Sequence, residues 1–271
     1  MVVSLMLFGV TSIYVALSFD NIFESKSLLH SSNSSSSSVG SGIPSPLASI
    51  LNQPSGSENA LFANQMLVSR DFFEILYKSD VFASQLLAYD YYDKEQLSDN
   101  FNSSLIDIKT LKWKKNKPAI ELAHRIFLSK HFLFYETSER SFFRLTIRHQ
   151  SPLIAKEWND LIIKEINNYV ASYKENSARE VLSFFLPAFE LEKNMLIKTG
   201  IQNLIMAKYQ DIAFTKKTDY VFSIISKPFI PIKKSSPNRP LICFAITLMG
   251  FIFTLFVIIA KDIILQNRNA K

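Results

Sequence analysis

The chain has 271 residues but only one cysteine, six glycines and four histidines. Each scarcity removes a class of chemistry. Cys243 lies inside an apolar run, so no disulfide forms within the chain and the polar middle carries no thiol. A disulfide-stapled secreted module is excluded. The glycines form no G-x-x-x-x-G-K phosphate loop, and no G-x-S-x-G nucleophile elbow occurs. The histidines, His30, His124, His131 and His149, have no partners at metal-ligand spacing. Asp90 and Asp93 bracket two tyrosines, a pattern that reads first as a solvated loop rather than an acid/base pair. The residues point to no catalytic group, no cofactor and no metal.

Net charge is +6. Lys261, Arg268 and Lys271 against Asp262 place +2 of this after residue 260, which leaves +4 for the rest. That is too dispersed for the basic stripe of a nucleic-acid binder. The best basic-aromatic patch is 109–117, which includes Trp113. Its chemistry suits an acidic glycan or lipid headgroups, with a solvated face as the ordinary alternative.

Charge is also missing from two long stretches, 1–19 and 241–260. Each is near the roughly 20 residues that a helix needs to cross a bilayer. Both read as transmembrane helices, with residues 20–240 between them on one side. No basic residue precedes the first run and no small-residue cleavage site follows it, so it reads as a retained span rather than a signal peptide. The tail 261–271 bears three basic residues and belongs inside. Lys233, Lys234 and Arg239 flank the other end, but they belong to a long domain, which translocates largely regardless of charge. The expected arrangement is an external domain and a cytoplasmic tail.

Within the middle, 30–57 is a Ser-, Gly- and Pro-rich loop. Helical spacing begins near Asn59, with Ser79 or Asp80 capping a helix that contains Val81, Phe82, Leu86 and Leu87. Residues 90–102 are polar and read as loop. A short helix follows over 120–130. Strands follow at 133–135 and 142–149, the second with Phe143, Leu145 and Ile147 on one face. Ser151-Pro152 opens a helix whose apolar stripe includes Trp158, Leu161 and Val170. The pattern resumes over about 177–213, with Leu204 and Ile205, as a helix of about 55 Å that Pro187 and Gly200 should kink. A strand at 220–225 leads into a proline-rich stalk, 227–240, with Pro228, Pro231 and Pro237.

Three stretches carry a resemblance. Residues 142–159 hold a strand, the turn Ser151-Pro152-Leu153-Ile154-Ala155 and a helix with Trp158-Asn159. Residues 220–228 form a closing strand ending at Pro228. Residues 231–240 carry Pro231, Pro237 and Pro240 with a Ser-Pro-basic step just before an apolar run. In this order they resemble the Wzz-type chain-length determinants, the polysaccharide co-polymerases. The resemblance implies an α+β fold. Two transmembrane helices would flank a membrane-proximal periplasmic α+β domain with a long projecting helix. It implies a non-enzymatic, multi-pass inner-membrane protein that sets the modal length of a lipid-linked glycan such as lipopolysaccharide O-antigen. Its partners would be copies of itself, a separate polymerase and the lipid-linked glycan, with no nucleic acid.

On that reading Trp158, Leu161, Val170, Leu204 and Ile205 are packing positions. Pro228, Pro231 and Pro237 set stalk geometry, and Gly250 is the one small residue of its kind in the second run. The family also carries a cytoplasmic segment ahead of the first span, of which this chain has almost none. With no kinase module after Lys271, the fused tyrosine-kinase branch is not expected. An alternative from the export side is an inner-membrane component of capsule or exopolysaccharide secretion. A periplasmic sensor would need an output module after the second run.

Overall fold

The computed structural model describes residues 2–31, 56–139 and 141–269. Most of the expected serine-rich loop, 32–55, lies outside these. The chain divides into two compact units, Met1–Glu24 with Pro231–Lys271, and Ser25–Ile230.

The first unit pairs helix α1, Val2–Ser18, with the last helix, α8, Arg239–Asn269. The window Arg239–Phe256 is, among the described residues, the one helix long and apolar enough to cross a membrane. The expected first span is shorter: α1 has 17 residues, or about 26 Å. α8 has 31 residues, and its backbone stays helical through most of the expected tail. The helices run antiparallel. Cys243 Sγ lies 3.7 Å from the Ser12 carbonyl oxygen, and the Phe8 ring lies on Gly250. Any Cβ at Gly250 would run into that ring, so the close approach requires glycine there.

The second unit is a mixed helix and strand domain. Its strands are β1 Phe23–Ser31, β4 Phe132–Glu136, β5 Phe142–His149 and β6 Phe222–Ser226, in the order β4-β5-β1-β6. β4 and β5 form an antiparallel hairpin with Phe134 opposite Leu145. β6 is antiparallel to β1, with Leu28 opposite Ser226. The sheet is thus closed by strands from opposite ends of the domain sequence.

β1 is not visible as a hydrophobic alternation. Its inward positions are Phe23, Ser25, Ser27, Leu29 and Ser31, all buried, and three of them are serines. Residues 90–102, expected as loop, instead contribute β2 Tyr89–Asp93 and β3 Ser98–Phe101. The Asp93 carboxylate accepts the Glu95 and Gln96 amides and closes their turn, and Leu97 takes a positive φ of 50°. On β5, Thr146 is buried beside Leu145 and Ile147, although strict alternation would turn it outward.

Three short helices, α2 Gly56–Leu67, α3 Arg70–Lys78 and α4 Asp80–Leu87, supply a large share of the remaining core. Ser69 caps α3 and Ser79 caps α4, each hydroxyl accepting the amide three residues on. α5, Ile120–Ile126, continues into a π turn, Phe127–His131. The largest fully buried side chains include Phe72, Phe73, Phe82, Phe127, Trp158 and Phe222.

The long helix α6 runs from Pro152 to Leu191, 40 residues and about 60 Å. It does not continue into the next helical stretch. The break falls at residues 192–194, and α7, Met195–Phe214, folds back along α6. Pro187 is carried inside α6, and Gly200 inside α7. The expected single helix over 177–213 is therefore a hairpin. Glu192 and Asn194 account for the turn: the Glu192 carboxylate accepts the Asn194 amide, and the Asn194 side chain accepts the Leu196 amide to cap α7.

Candidate functional site

Helix α6 is built in two halves. Its first half lies on the sheet. Ser151 caps it by accepting the Ile154 amide at 3.3 Å, and Pro152 occupies the first turn, where no intrahelical N–H is needed. Ile154, Trp158, Ile162, Ile166 and Val170 recur at every fourth residue and are all buried. Leu161 is half-buried against the same core.

Two buried asparagines fix this half in register. Asn159 donates to the Ser25 carbonyl at 2.9 Å and accepts from the Ser27 hydroxyl at 2.8 Å. Asn167 accepts the Val221 and Phe222 amides at 2.8 and 2.9 Å and donates to the Phe222 carbonyl at 3.1 Å. The helix is thereby stitched to β1 by one side chain and to the start of β6 by the other. Removing either amide would orphan buried partners, at about 1–3 kcal/mol each.

Trp158 anchors a second polar cluster. Its indole N–H donates to Gln85 Oε1 at 2.6 Å, and Gln85 Nε2 donates to Glu157 at 3.1 Å. His149 Nδ1 accepts the Ser151 amide at 3.0 Å, which leaves the proton on Nε2, 3.2 Å from the Gln85 carbonyl. Both imidazole nitrogens are thus used. Burial pushes the His149 pKa down to about 3, helped by the neighbouring His131. The two rings lie 5.5 Å apart, and both contact Trp158. His131 Nδ1 is 2.7 Å from the Arg148 carbonyl, and burial lowers its pKa too. Asp99 is raised by burial and receives a long bond from the Tyr89 hydroxyl. Among the described residues no three His, Cys, Asp or Glu side chains gather as a metal site.

The second half of α6 pairs with α7 as a helical arm. Ala178 and Leu182 of α6 and Leu204 and Ile205 of α7 are its buried apolar positions. Glu175 ties the base, meeting Lys216 at 2.7 Å and Arg179 at 2.8 Å, and these two cations hold its carboxyl below the usual range. Towards the turn the apolar side chains face solvent. Phe184, Leu191, Met195 and Leu196 are each more than two-thirds exposed. This is the largest departure of the arm from an ordinary soluble surface.

The sequence-derived positions thus fall into separate places. Trp158 and Val170 lie in the core under the sheet, and Leu204 and Ile205 lie in the arm. Pro228 and Pro231 are buried and Pro237 is partly so, following a cis Ser236-Pro237 bond. Gly250 faces Phe8. Sequence reasoning did not single out Asn167, Gln85, or the exposed turn residues Leu191 and Met195. An asparagine on the apolar face of an amphipathic helix was the available signal for Asn167.

The patch 109–117 is a folded loop. Asp107 accepts the Lys109 amide and the Thr110 hydroxyl, and Lys117 reaches the Tyr77 carbonyl and Asp80. Trp113 pairs with Ile106 in an isolated bridge, and its indole N–H is buried without a partner.

No protein-family model and no curated protein matches the chain. Solved structures do. One is a full-length bacterial polysaccharide co-polymerase, 11% identical, covering 99% of this chain and 96% of its own, with a TM-score of 0.42. The chain resembles the polysaccharide co-polymerases. Another is a fragment of WzzB, a polysaccharide co-polymerase from Salmonella Typhimurium, 11% identical, covering 80% of this chain and all of the fragment, with a TM-score of 0.33.

Proposed function

We propose that the protein is a non-enzymatic, multi-pass inner-membrane regulator of the modal chain length of a lipid-linked polysaccharide, with lipopolysaccharide O-antigen as the first candidate. α1 and α8 would both lie in the bilayer, and the sheet domain would face the periplasm. The observation that carries the reading is the build of α6. One continuous 40-residue helix is locked to a sheet by buried asparagines at one end and exposes apolar side chains at the other. A rigid rod with an apolar end suits a scaffold whose copies pack side by side, and it needs no catalytic group. The motif stretches 142–159, 220–228 and 231–240 support the same reading. Copies of the chain, the polymerase and the growing lipid-linked glycan would be the partners.

The test is a deletion strain complemented with the full chain, with its glycan displayed as an electrophoretic ladder. Complementation should restore a clustered modal length, and deletion should leave a distribution that decays smoothly. An identical ladder in both strains would refute length control.

A further inference from the structure

The segment that leads into α8 carries Lys233 and Lys234, and α8 itself opens on Arg239. Basic residues concentrate on the cytoplasmic side of spans. With the domain outside, these three cations sit at the opposite end of α8, where that tendency does not call for them. Their surroundings suggest what does.

The segment is clipped to the chain just after α1. The Ile22 amide donates to the Ser236 carbonyl at 2.9 Å, and the Ser235 amide donates back to the Ile22 carbonyl at 2.8 Å. Because α1 and α8 are antiparallel, this clip closes one end of the helix pair. It holds Ile232 almost entirely in solvent, 95% exposed, with exposed Lys233 beside it. Phe19, directly after α1, is 51% exposed. Arg239, at the first position of α8, has a buried Nε–H without an acceptor. Asp20 and Lys234 have interactions of their own, so an added anion would fall to Lys233 and Arg239.

We propose that this clip is a docking surface for the headgroups of anionic bilayer lipids. Ile232 and Phe19 enter the boundary between headgroups and acyl chains, and Lys233 and Arg239 bind phosphodiester oxygens. An aliphatic tip flanked by cations at the mouth of a span is matched by a surface that is apolar beneath and negative above. The guanidinium fork of the half-exposed Arg239 fits phosphate oxygens. The proposal rests on reading α8 as a span.

The experiment uses the full chain in vesicles of phosphatidylcholine with about 30% phosphatidylglycerol, which gives the surface a negative potential. Spin-labelled lipids report which headgroup is retained at the protein. The wild type should select phosphatidylglycerol, and Lys233→Gln with Arg239→Gln should weaken selection about fivefold for each cation removed. The fluorescence of Ile232→Trp, measured against the native tryptophan background, should shift to shorter wavelength on reconstitution. Equal retention of both lipids, unchanged selection in the double variant, or a water-like emission from Trp at 232 each overturns the proposal. Full displacement of phosphatidylglycerol by equimolar polyprenyl diphosphate makes a lipid diphosphate the occupant and overturns it as well. Alkaline carbonate extraction separates the two readings. Release of the chain from membranes refutes the span and the docking surface together. Retention without headgroup selection refutes the docking surface alone.

Discussion

His149 shows how one residue can make the domain sensitive to acid. Its ring is buried with both nitrogens engaged, and its pKa falls from the ordinary 6.5 to about 3. In the unfolded chain the imidazole binds a proton near pH 6.5, and in the folded chain it does not until about pH 3. The unfolded state therefore holds the extra proton between those values, and stability drops as pH falls through that window. The slope is about 1.4 kcal/mol per pH unit for one such group once the pH lies well below the upper value. His131 and His124 are lowered by burial as well and add in the same direction. Thermal melts of the full chain in detergent should be flat above pH 7 and decline steadily from pH 6.5 to 4. His149→Gln should melt lower at pH 7 yet show a shallower decline, and a slope equal to the wild type's would count against His149 as its source.

At the scale of elements, the α1–α8 pair makes a sharp prediction. A branched side chain at Gly250 meets the Phe8 ring, so Gly250→Val should part the helices locally. Ser12→Cys placed opposite Cys243 gives a readout, because Cys243 Sγ already lies 3.7 Å from the Ser12 carbonyl. Oxidation should cross-link the pair in high yield, and adding Gly250→Val should cut that yield severalfold. The same scale shows what the sequence could reveal. β5, the Ser151-Pro152 helix start and the Ser79 cap were legible, because alternation and capping are local signals. β1 was hidden because Ser25, Ser27 and Ser31 occupy its inward face and bury through hydrogen bonds and small size rather than hydrophobicity. The break at residues 192–194 was misplaced because it depends on side-chain capping by Glu192 and Asn194 rather than on proline or glycine. Of the candidate residues, Trp158 and Val170 were readable from helical spacing. For Asn167 the apolar face marks the position but not its partners, which are amides more than 50 positions away.

For the whole molecule, the exposed apolar end of the arm predicts association. Leu191, Met195 and Leu196 are each more than three-quarters exposed, and together they would be an unusual surface for a solitary chain. The full chain purified in mild detergent should run as a large homo-oligomer by light scattering. Leu191→Ser with Leu196→Ser should shift it to smaller species while leaving helical content unchanged, and a wild type that runs as a clean monomer would contradict the scaffold.

The pairing of β1 with β6 also orders events in time. Leu28 lies opposite Ser226, 226 − 28 = 198 positions later in the chain. At about 5–20 residues per second, β1 waits roughly 10–40 s after leaving the ribosome before its partner exists. Through that interval Leu29 and the inward serines have no sheet to enter from that side. The domain therefore closes late and from both ends at once, and a pause in synthesis just before residue 222 would strand it half made, with the β1 edge open to pairing with other chains.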